Sequence, residues 1–230
     1  MIPLKKTGDA PSPLSSKIGF LPEVCLIYGL TIAFLGASFI GAQAIGLPFA
    51  SLARDTTAVL NGHPFVGMIS NLGVLLFAMA TGISLFCYAF LAIATSPRQA
   101  QFFLATGLFT GMLMIDDLFL LHENIFPLML NISESLVFLF YIVCFCLYCF
   151  TFRKHLLNRY SYFFLLAAVF FAVAMTADKI PFLRLVLAQE AGDLLEDGAK
   201  MLGIVSWAAF VFRTGLQAVG VAKEQRQPLG

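Results

Sequence analysis

The sequence predicts an all-α integral membrane protein, a bundle of about six transmembrane helices with short apolar interfacial segments in its outer loops. Hydrophobic residues make up 60% of the 230 residues and charged residues only 12%, whereas a soluble domain typically carries about 25% charged residues. Apolar runs of roughly 20 residues, long enough to cross ~30 Å of hydrocarbon as a helix, recur along the whole chain. The alternating pattern of a membrane β-barrel is not found, so helices are the predicted spanning elements.

Six apolar segments have the length of a membrane-spanning helix. Residues 1–23, which are polar and contain Pro, Ser and Lys, precede them and are predicted to be a disordered cytoplasmic segment. Residues 24–216 are predicted to form a single transmembrane domain, and residues 217–230 a cytoplasmic tail. The predicted spans are about 24–47, 66–95, 102–122, 135–152, 160–177 and 194–216.

The distribution of charge predicts an orientation for these spans. If the N-terminus is cytoplasmic, ten Lys and Arg residues lie on the inner side and three on the outer side. This asymmetry follows the positive-inside rule at every loop, so both termini are predicted to be inside. Most acidic residues then lie outside. The expected location is therefore a bacterial inner membrane or a plasma membrane, crossed several times, with the acidic side outward.

Two segments leave alternatives open. Ala42-Gln43-Ala44 follows the first apolar run and resembles a signal-peptide cleavage site, and cleavage there would leave five spans. The apolar run and its polar leader are both long for a signal peptide, which favours an uncleaved first span. The outer segments 124–133 and 179–189 are apolar, so they either form interfacial helices, or Pro181 opens a long last helix.

The cysteines favour packing over chemistry. All five lie in predicted spans, so no disulfide framework is expected. In "CFCLYC", at about 100° per helical residue, Cys146 and Cys149 lie about 60° apart while Cys144 points away from both. Buried cysteine usually behaves as a small hydrophobic residue. The five are Cys25, Cys87, Cys144, Cys146 and Cys149.

The most coherent candidate site lies at the start of the sixth span, in "QEAGDLLEDGAKMLGIVSW". At about 100° per residue, its five charged residues fall in one wedge about 120° wide, and Trp207 continues this wedge toward the membrane interior. A charge at the centre of a span costs about 2.5 kcal/mol or more, so such residues indicate function by default. The five residues are Glu190, Asp193, Glu196, Asp197 and Lys200.

The third span ends in "MLMIDDLFLLHENIF", where four ionisable residues stand in apolar sequence. Asp116 and Glu123 share a helical face to within about 20°, whereas Asp117 lies about 100° around the helix. His122 lies about 120° from Glu123 in the other direction. All four can surround one ion only if the helix ends or unwinds near residue 121. In the second span, Asn71 is expected to face other helices.

The third and sixth spans run in opposite directions, so their charged ends are predicted to meet near the outer leaflet. If the spans are neighbours, Lys200 lies at the depth of Asp116 or Asp117 and can pair with one of them, and Glu123 lies at the depth of Asp193. Alternatively, these charges form only a solvated rim, or only an ion pair between two helices.

The sequence therefore predicts one acidic pocket between the third and sixth spans. Its candidate metal- or proton-binding residues are Asp116, Asp117, His122, Glu123, Glu190, Asp193, Glu196 and Asp197. Lys200 is the predicted ion-pair partner, and Asn71 and Trp207 are the predicted supporting residues.

Three functions are compatible with such a pocket. Carboxylates in a low dielectric need protons, water or a bound cation. The first hypothesis is a divalent metal of unknown identity, in a membrane enzyme acting on an apolar or lipid substrate. The second is a proton- or ion-coupled transporter or sensor, and the third is an accessory subunit of a larger membrane complex.

Neither the reaction nor the partners are specified by a motif. The sequence has no His-Glu-x-x-His, no Glu-x-x-His in a span, no nucleophile elbow and no phosphate-binding loop. Lys and Arg do not cluster with aromatic residues in an exposed domain, which argues against nucleic acid. The expected partners are the lipid bilayer and, as alternatives, a second copy of the chain or a membrane-complex subunit.

Overall fold

The computed structural model describes residues 13–48, 51, 60–63, 65–93, 97–179 and 189–224. Within these ranges the side chains of residues 13–24, 27, 178–179, 189–191 and 193 are not described. Every regular element of the described ranges is a helix, which confirms the predicted all-α class. The chain divides into two compact units, Met1–Val66 and Gly67–Gly230.

The described part of the first unit contains one long helix, α1 (Pro13–Ala44). Gly46 follows the end of this helix, and its positive φ of 72° suits glycine because this residue has no Cβ to clash. The amide of Leu47 donates to the carbonyl of Ala42 at 2.9 Å. The apolar side chains of α1 that are described are mostly exposed.

The described part of the second unit contains five longer helices and two short ones. Among the longer helices, α2 packs against α3 and α7, and α6 packs against α7. In chain order the elements are α2 (Met68–Ile93), α3 (Pro97–Phe119), a π-helix (Leu121–Ile125), α4 (Phe126–Leu130), α5 (Glu134–Leu156), α6 (Ser161–Lys179) and α7 (Gln189–Glu224).

The core of the second unit is aromatic and closely packed. Phe102, Phe103 and Phe210 are almost completely buried, together with Ile204. Gly107 lies in the contact between α2 and α3, where a Cβ would stand 2.9 Å from a methyl carbon of the Leu85 side chain. Small residues at such positions let two helices approach, as is usual in membrane bundles.

Among the described residues, four helices are long and apolar enough to cross a membrane: α2, α3, α5 and the part of α7 from Leu194 to Glu224. Two further apolar helical segments, Tyr28–Ala44 and Ser161–Ala177, are shorter. A helix thus overlaps each of the six predicted spans. The count of six spans, their orientation, the single domain 24–216 and the cleavage alternative at Ala42-Gln43-Ala44 stay predictions.

The two segments predicted to form apolar outer loops are 124–133 and 179–189. Segment 124–133 contains α4, whose Leu128 and Met129 are each 79% exposed, so it forms the short apolar helix that was one of the two alternatives. Asn131 ends α4 in the left-handed conformation, with φ of 53°. Most of segment 179–189, including Pro181, lies outside the described residues.

Candidate functional site

A cavity of about 540 Å³ lies between α3, α5, α6 and α7. Its wall is largely aromatic, with one or more rings from each of these helices. These rings include Phe109, Phe145, Phe164, Phe171 and Trp207. The volume falls within the range of roughly 300–1,000 Å³ that is typical of small-molecule sites.

One end of this cavity is lined by ionisable side chains, and we call it the acidic end. It is built where α3 ends, α5 begins and α7 begins, because these helix ends come together there. The predicted residues Asp116, Asp117, His122, Glu123, Glu196 and Lys200 all line the cavity, and Glu134 and Tyr141 of α5 join them.

The turn after α3 explains how His122 reaches this site. The predicted third span continues to residue 122, but α3 ends at Phe119 and Leu120 takes a left-handed conformation with φ of 51° and ψ of 46°. That conformation is unfavourable for a leucine and breaks the helical spacing. Helical geometry separated His122 from Asp116, and unwinding at this turn brings the two side chains together.

His122 is clamped on the carboxylate of Asp116. Its Nδ1 lies 2.6 Å from Asp116 Oδ2, and its backbone amide donates to Asp116 Oδ1 at 3.0 Å. Its Nε2 lies 3.4 Å from Glu123 Oε1. Tyr141 also makes a side-chain hydrogen bond with Asp116. The two ends of the imidazole are therefore fixed by carboxylates, with one edge of the ring in the cavity.

The charge of His122 is favoured by these neighbours. Burial by itself lowers the pKa of His122, and the charge of Lys200 acts in the same direction. The hydrogen bond to Asp116 and the negative charges of Asp116 and Glu123 outweigh these effects, so the pKa of His122 is raised above its ordinary value.

Asp117 forms an ion pair with Lys200 across α3 and α7. The Asp117 side chain is only 6% exposed and that of Lys200 is 38% exposed. Asp117 is thus one of the two partners that the sequence proposed for Lys200. Its Oδ1 accepts a hydrogen bond from the ammonium group of Lys200, while its buried Oδ2 has no hydrogen-bond partner among the described residues.

A second contact sets the register of α3 against α7. The indole Nε1 of Trp207 donates to Thr110 Oγ1 at 2.9 Å. Thr110 and Asp117 are seven residues apart, as are Lys200 and Trp207, so the two pairs are the rungs expected of antiparallel helices. Trp207 therefore lies about 10 Å along the cavity from the Asp117–Lys200 pair.

Four predicted site residues are not brought into the cavity by the described structure. Asp197 is exposed and does not line it, because the cavity covers only the Glu196 and Lys200 side of the wedge. Asn71 was expected to face other helices, but it is exposed in the first turn of α2, where water or head groups can solvate its amide. The side chains of Glu190 and Asp193 lie outside the described residues.

The α5 lining was missed by the sequence analysis, although it had a detectable signal. Glu134, Phe138, Tyr141 and Phe145 follow each other at spacings of four, three and four residues, which places them on one helical face. The segment is apolar almost throughout, so this face does not stand out from its surroundings. Only the presence of α3 and α7 opposite it distinguishes the cavity face from the lipid face.

The described residues contain no group of three or more His, Cys, Asp or Glu side chains that could hold a metal ion. The carboxylates of Asp116 and Asp117 each already contact a cationic side chain. All five cysteines are free thiols, and Cys144, Cys146 and Cys149 are partly or fully exposed on α5.

Comparisons with known proteins complete the description of the site. No curated protein and no solved structure matches the chain. A family model described as "Domain of unknown function (DUF8692)" matches residues 27–214, which include α2 to α6, most of α7 and all of the described cavity lining. The chain belongs to this family of domains of unknown function.

Proposed function

We propose that this chain is a multi-pass membrane protein that binds a single-chain amphipathic molecule in the cavity between α3, α5, α6 and α7. The observation that carries the proposal is the division of this cavity into an aromatic part and an acidic end. A hydrocarbon tail would lie among the rings, and a polar head group would lie beside Asp116, Asp117 and Glu123.

The energetics favour such a ligand. Burial of apolar surface contributes about 25 cal/mol per Å², or about 0.8 kcal/mol per methylene group, and it occurs without any specific polar contact. The wall offers several large rings for this burial, including Phe109, Phe164 and Trp207. Polar groups at one end would then fix the orientation of the ligand, as a few polar side chains do in most small-molecule sites.

The arrangement of α5 and α6 supports access from the bilayer. The two helices are consecutive, but they make few contacts with each other along their described lengths. The Phe145 and Phe164 rings, whose centroids are 6.0 Å apart, bridge them, and residues of both helices line the cavity. A tail entering between α5 and α6 would not have to cross the polar end.

The proposal keeps the orientation that the charges predict, with the acidic end toward the outer leaflet. It does not require the divalent metal of the first sequence hypothesis. Asp116 and Asp117 are compensated by His122 and Lys200, so their negative charges do not call for a metal. The accessory-subunit hypothesis expected a charged wedge turned away from the bundle, whereas Glu196 and Lys200 line the cavity.

The single tryptophan of the chain, Trp207, provides a direct test because it lines the cavity. The protein is placed in nanodiscs and titrated with a medium-chain alcohol that carries bromine at the end of its tail, since a bromine in contact with indole quenches its fluorescence. We expect saturable quenching. Metal analysis of the same preparation shows whether a stoichiometric metal accompanies the protein.

Two matched variants of α6 separate cavity binding from partition into the bilayer. Ala168 lines the cavity, whereas Val169 is 57% exposed and does not. Ala168→Phe should fill the cavity and weaken the saturable quenching by about tenfold or more, and Val169→Phe should leave it unchanged. Quenching that never saturates, or that is equal in both variants, would refute the proposal.

A further inference from the structure

We infer that the head group of the bound molecule is a positively charged amine held at the acidic end of the cavity. This inference rests on the proposed function and specifies the ligand class. It follows from the charges and the aromatic rings that are gathered at that end.

The charges that α3 and its following turn bring to this end are unequal. Asp116, Asp117 and Glu123 supply three carboxylates, and among the described residues the cationic side chains in contact with them are His122 and Lys200. Even with His122 protonated, these five side chains leave one negative charge in excess. Glu134 and Glu196 line the same end and have contacts of their own.

The excess carboxylate is accessible. His122 is committed to Asp116 through a contact of 2.6 Å, and its approach to Glu123 is longer, at 3.4 Å. The Glu123 side chain is 50% exposed and lines the cavity. A cation in the cavity can therefore reach Glu123 without breaking either of the two ion pairs.

Aromatic faces stand at the same end. Phe138 and Tyr141 line the cavity less than two turns from Glu134, and the Phe138 ring lies 5.1 Å from the His122 ring between centroids. Aromatic rings attract cations through the negative charge of their faces, most strongly where water is excluded. A carboxylate beside aromatic rings favours an ammonium group over a neutral or an anionic head group.

The test compares three brominated probes that share one alkyl chain and differ in the head group: an ammonium, an alcohol and a sulfate. Each is titrated against the protein in phosphocholine nanodiscs, with quenching of Trp207 as the signal. We expect the ammonium probe to bind about tenfold more tightly than the alcohol, and the sulfate to bind more weakly than the alcohol.

The outcomes separate this inference from the proposed function. If the alcohol binds saturably and the amine binds no tighter, the cavity takes an amphipathic molecule but the inference about its charge is wrong. If the sulfate binds as tightly as the amine, the inference is also wrong. If none of the probes quenches saturably, the proposed function itself fails.

Two variants test the residues. Glu123→Gln should weaken ammonium binding about fivefold and leave alcohol binding unchanged, and because Glu123 is half exposed, its replacement should not disturb folding. Asp197→Asn removes a neighbouring charge that does not line the cavity, and it should change neither probe. Equal effects of both variants would indicate only a general surface charge and would overturn the inference.

The amine could belong to a membrane lipid or to a soluble long-chain molecule, and the nanodisc composition distinguishes them. Lipids with an ethanolamine head group should compete with the ammonium probe if the natural ligand is a bilayer lipid. Unchanged affinity in their presence would assign the same chemistry to a soluble amine.

Discussion

His122 folds back onto Asp116, six residues earlier in the chain, and contacts both oxygens of its carboxylate. The backbone amide of His122 donates to Oδ1 at 3.0 Å, and Nδ1 lies 2.6 Å from Oδ2. The left-handed conformation of Leu120 makes this return possible. The contact between Asp116 and His122 holds the turn after α3 in place, and both side chains line the acidic end of the cavity.

The first prediction concerns the dependence of stability on pH. The pKa of His122 in the folded protein is raised above the ordinary value of 6.5. The contribution of protonated His122 to stability is therefore complete below the pKa that His122 has in the unfolded chain. This contribution is lost as the pH rises through the pKa of His122 in the folded protein. Stability measured by denaturation should therefore decrease over that interval in the wild type.

Asp116→Asn should remove this decrease. The variant loses the hydrogen bond and the charge that raise the pKa of His122, and burial and Lys200 then lower it. Unfolding is followed from about pH 5 to about pH 9, around the titration range of histidine. His63→Gln, which changes an exposed histidine of the first unit, is the control. An unchanged pH profile in Asp116→Asn would contradict the prediction.

The second prediction concerns the Asp117–Lys200 pair, whose two members are unequally buried. Lys200→Met leaves a carboxylate that is 6% exposed without its cation, and the free energy of unfolding should fall by about 2–3 kcal/mol. This is somewhat less than the 3–5 kcal/mol of a fully buried pair, because Lys200 is 38% exposed. Asp117→Asn should lower the free energy of unfolding by less than Lys200→Met does, since the remaining ammonium group of Lys200 can turn toward water.

A double-mutant cycle checks that the two residues act as a pair. Asp117→Asn combined with Lys200→Met should be less destabilising than the sum of the single changes, because the double variant leaves no buried charge. Strict additivity of the two unfolding free energies would show that the ion pair contributes nothing.

The third prediction concerns the second rung between α3 and α7. Thr110→Val removes the acceptor of the Trp207 indole but keeps the shape of the side chain, so the free energy of unfolding should fall by about 1–3 kcal/mol. The fluorescence emission maximum should also shift. Trp207 is the only tryptophan of the chain, and its emission responds to the loss of that hydrogen bond. Thr176→Val is the matched control: Thr176 is exposed and bonds its own helix at the Ala172 carbonyl. Equal effects at both positions would contradict the assignment.

The fourth prediction uses two glycines of α7. A Cβ on Gly203 would lie 2.9 Å from carbons of the Phe171 ring, whereas one on Gly198 would meet nothing within 4 Å. Phe171 lines the cavity, so Gly203→Ala should displace its ring and weaken probe binding severalfold. Gly198→Ala should leave binding unchanged and stabilise the helix by up to about 1 kcal/mol. Unaltered binding in Gly203→Ala would show that the ring moves away from the cavity.

The helical class and the location of the acidic site could be predicted because they depend on local composition and on helical geometry. Apolar runs determine where helices form, and the seven-residue spacing of charges predicted that Lys200 would meet an aspartate of the third span. A continuous helix would have separated His122 from Asp116. The left-handed Leu120 ends the helix next to residue 121, where the sequence left open that it ends or unwinds.

The sequence by itself determined that this protein is helical and apolar, with carboxylates, a histidine and a lysine near the ends of two helices. Only the tertiary structure decided that Glu196 and Lys200 face a cavity while Asp197 does not, and that α5 supplies the wall opposite α3 and α7. The physical reason is that an apolar helix has no polar face to mark its inner side. Its Phe138 and Phe145 become cavity residues only through the helices that pack around them.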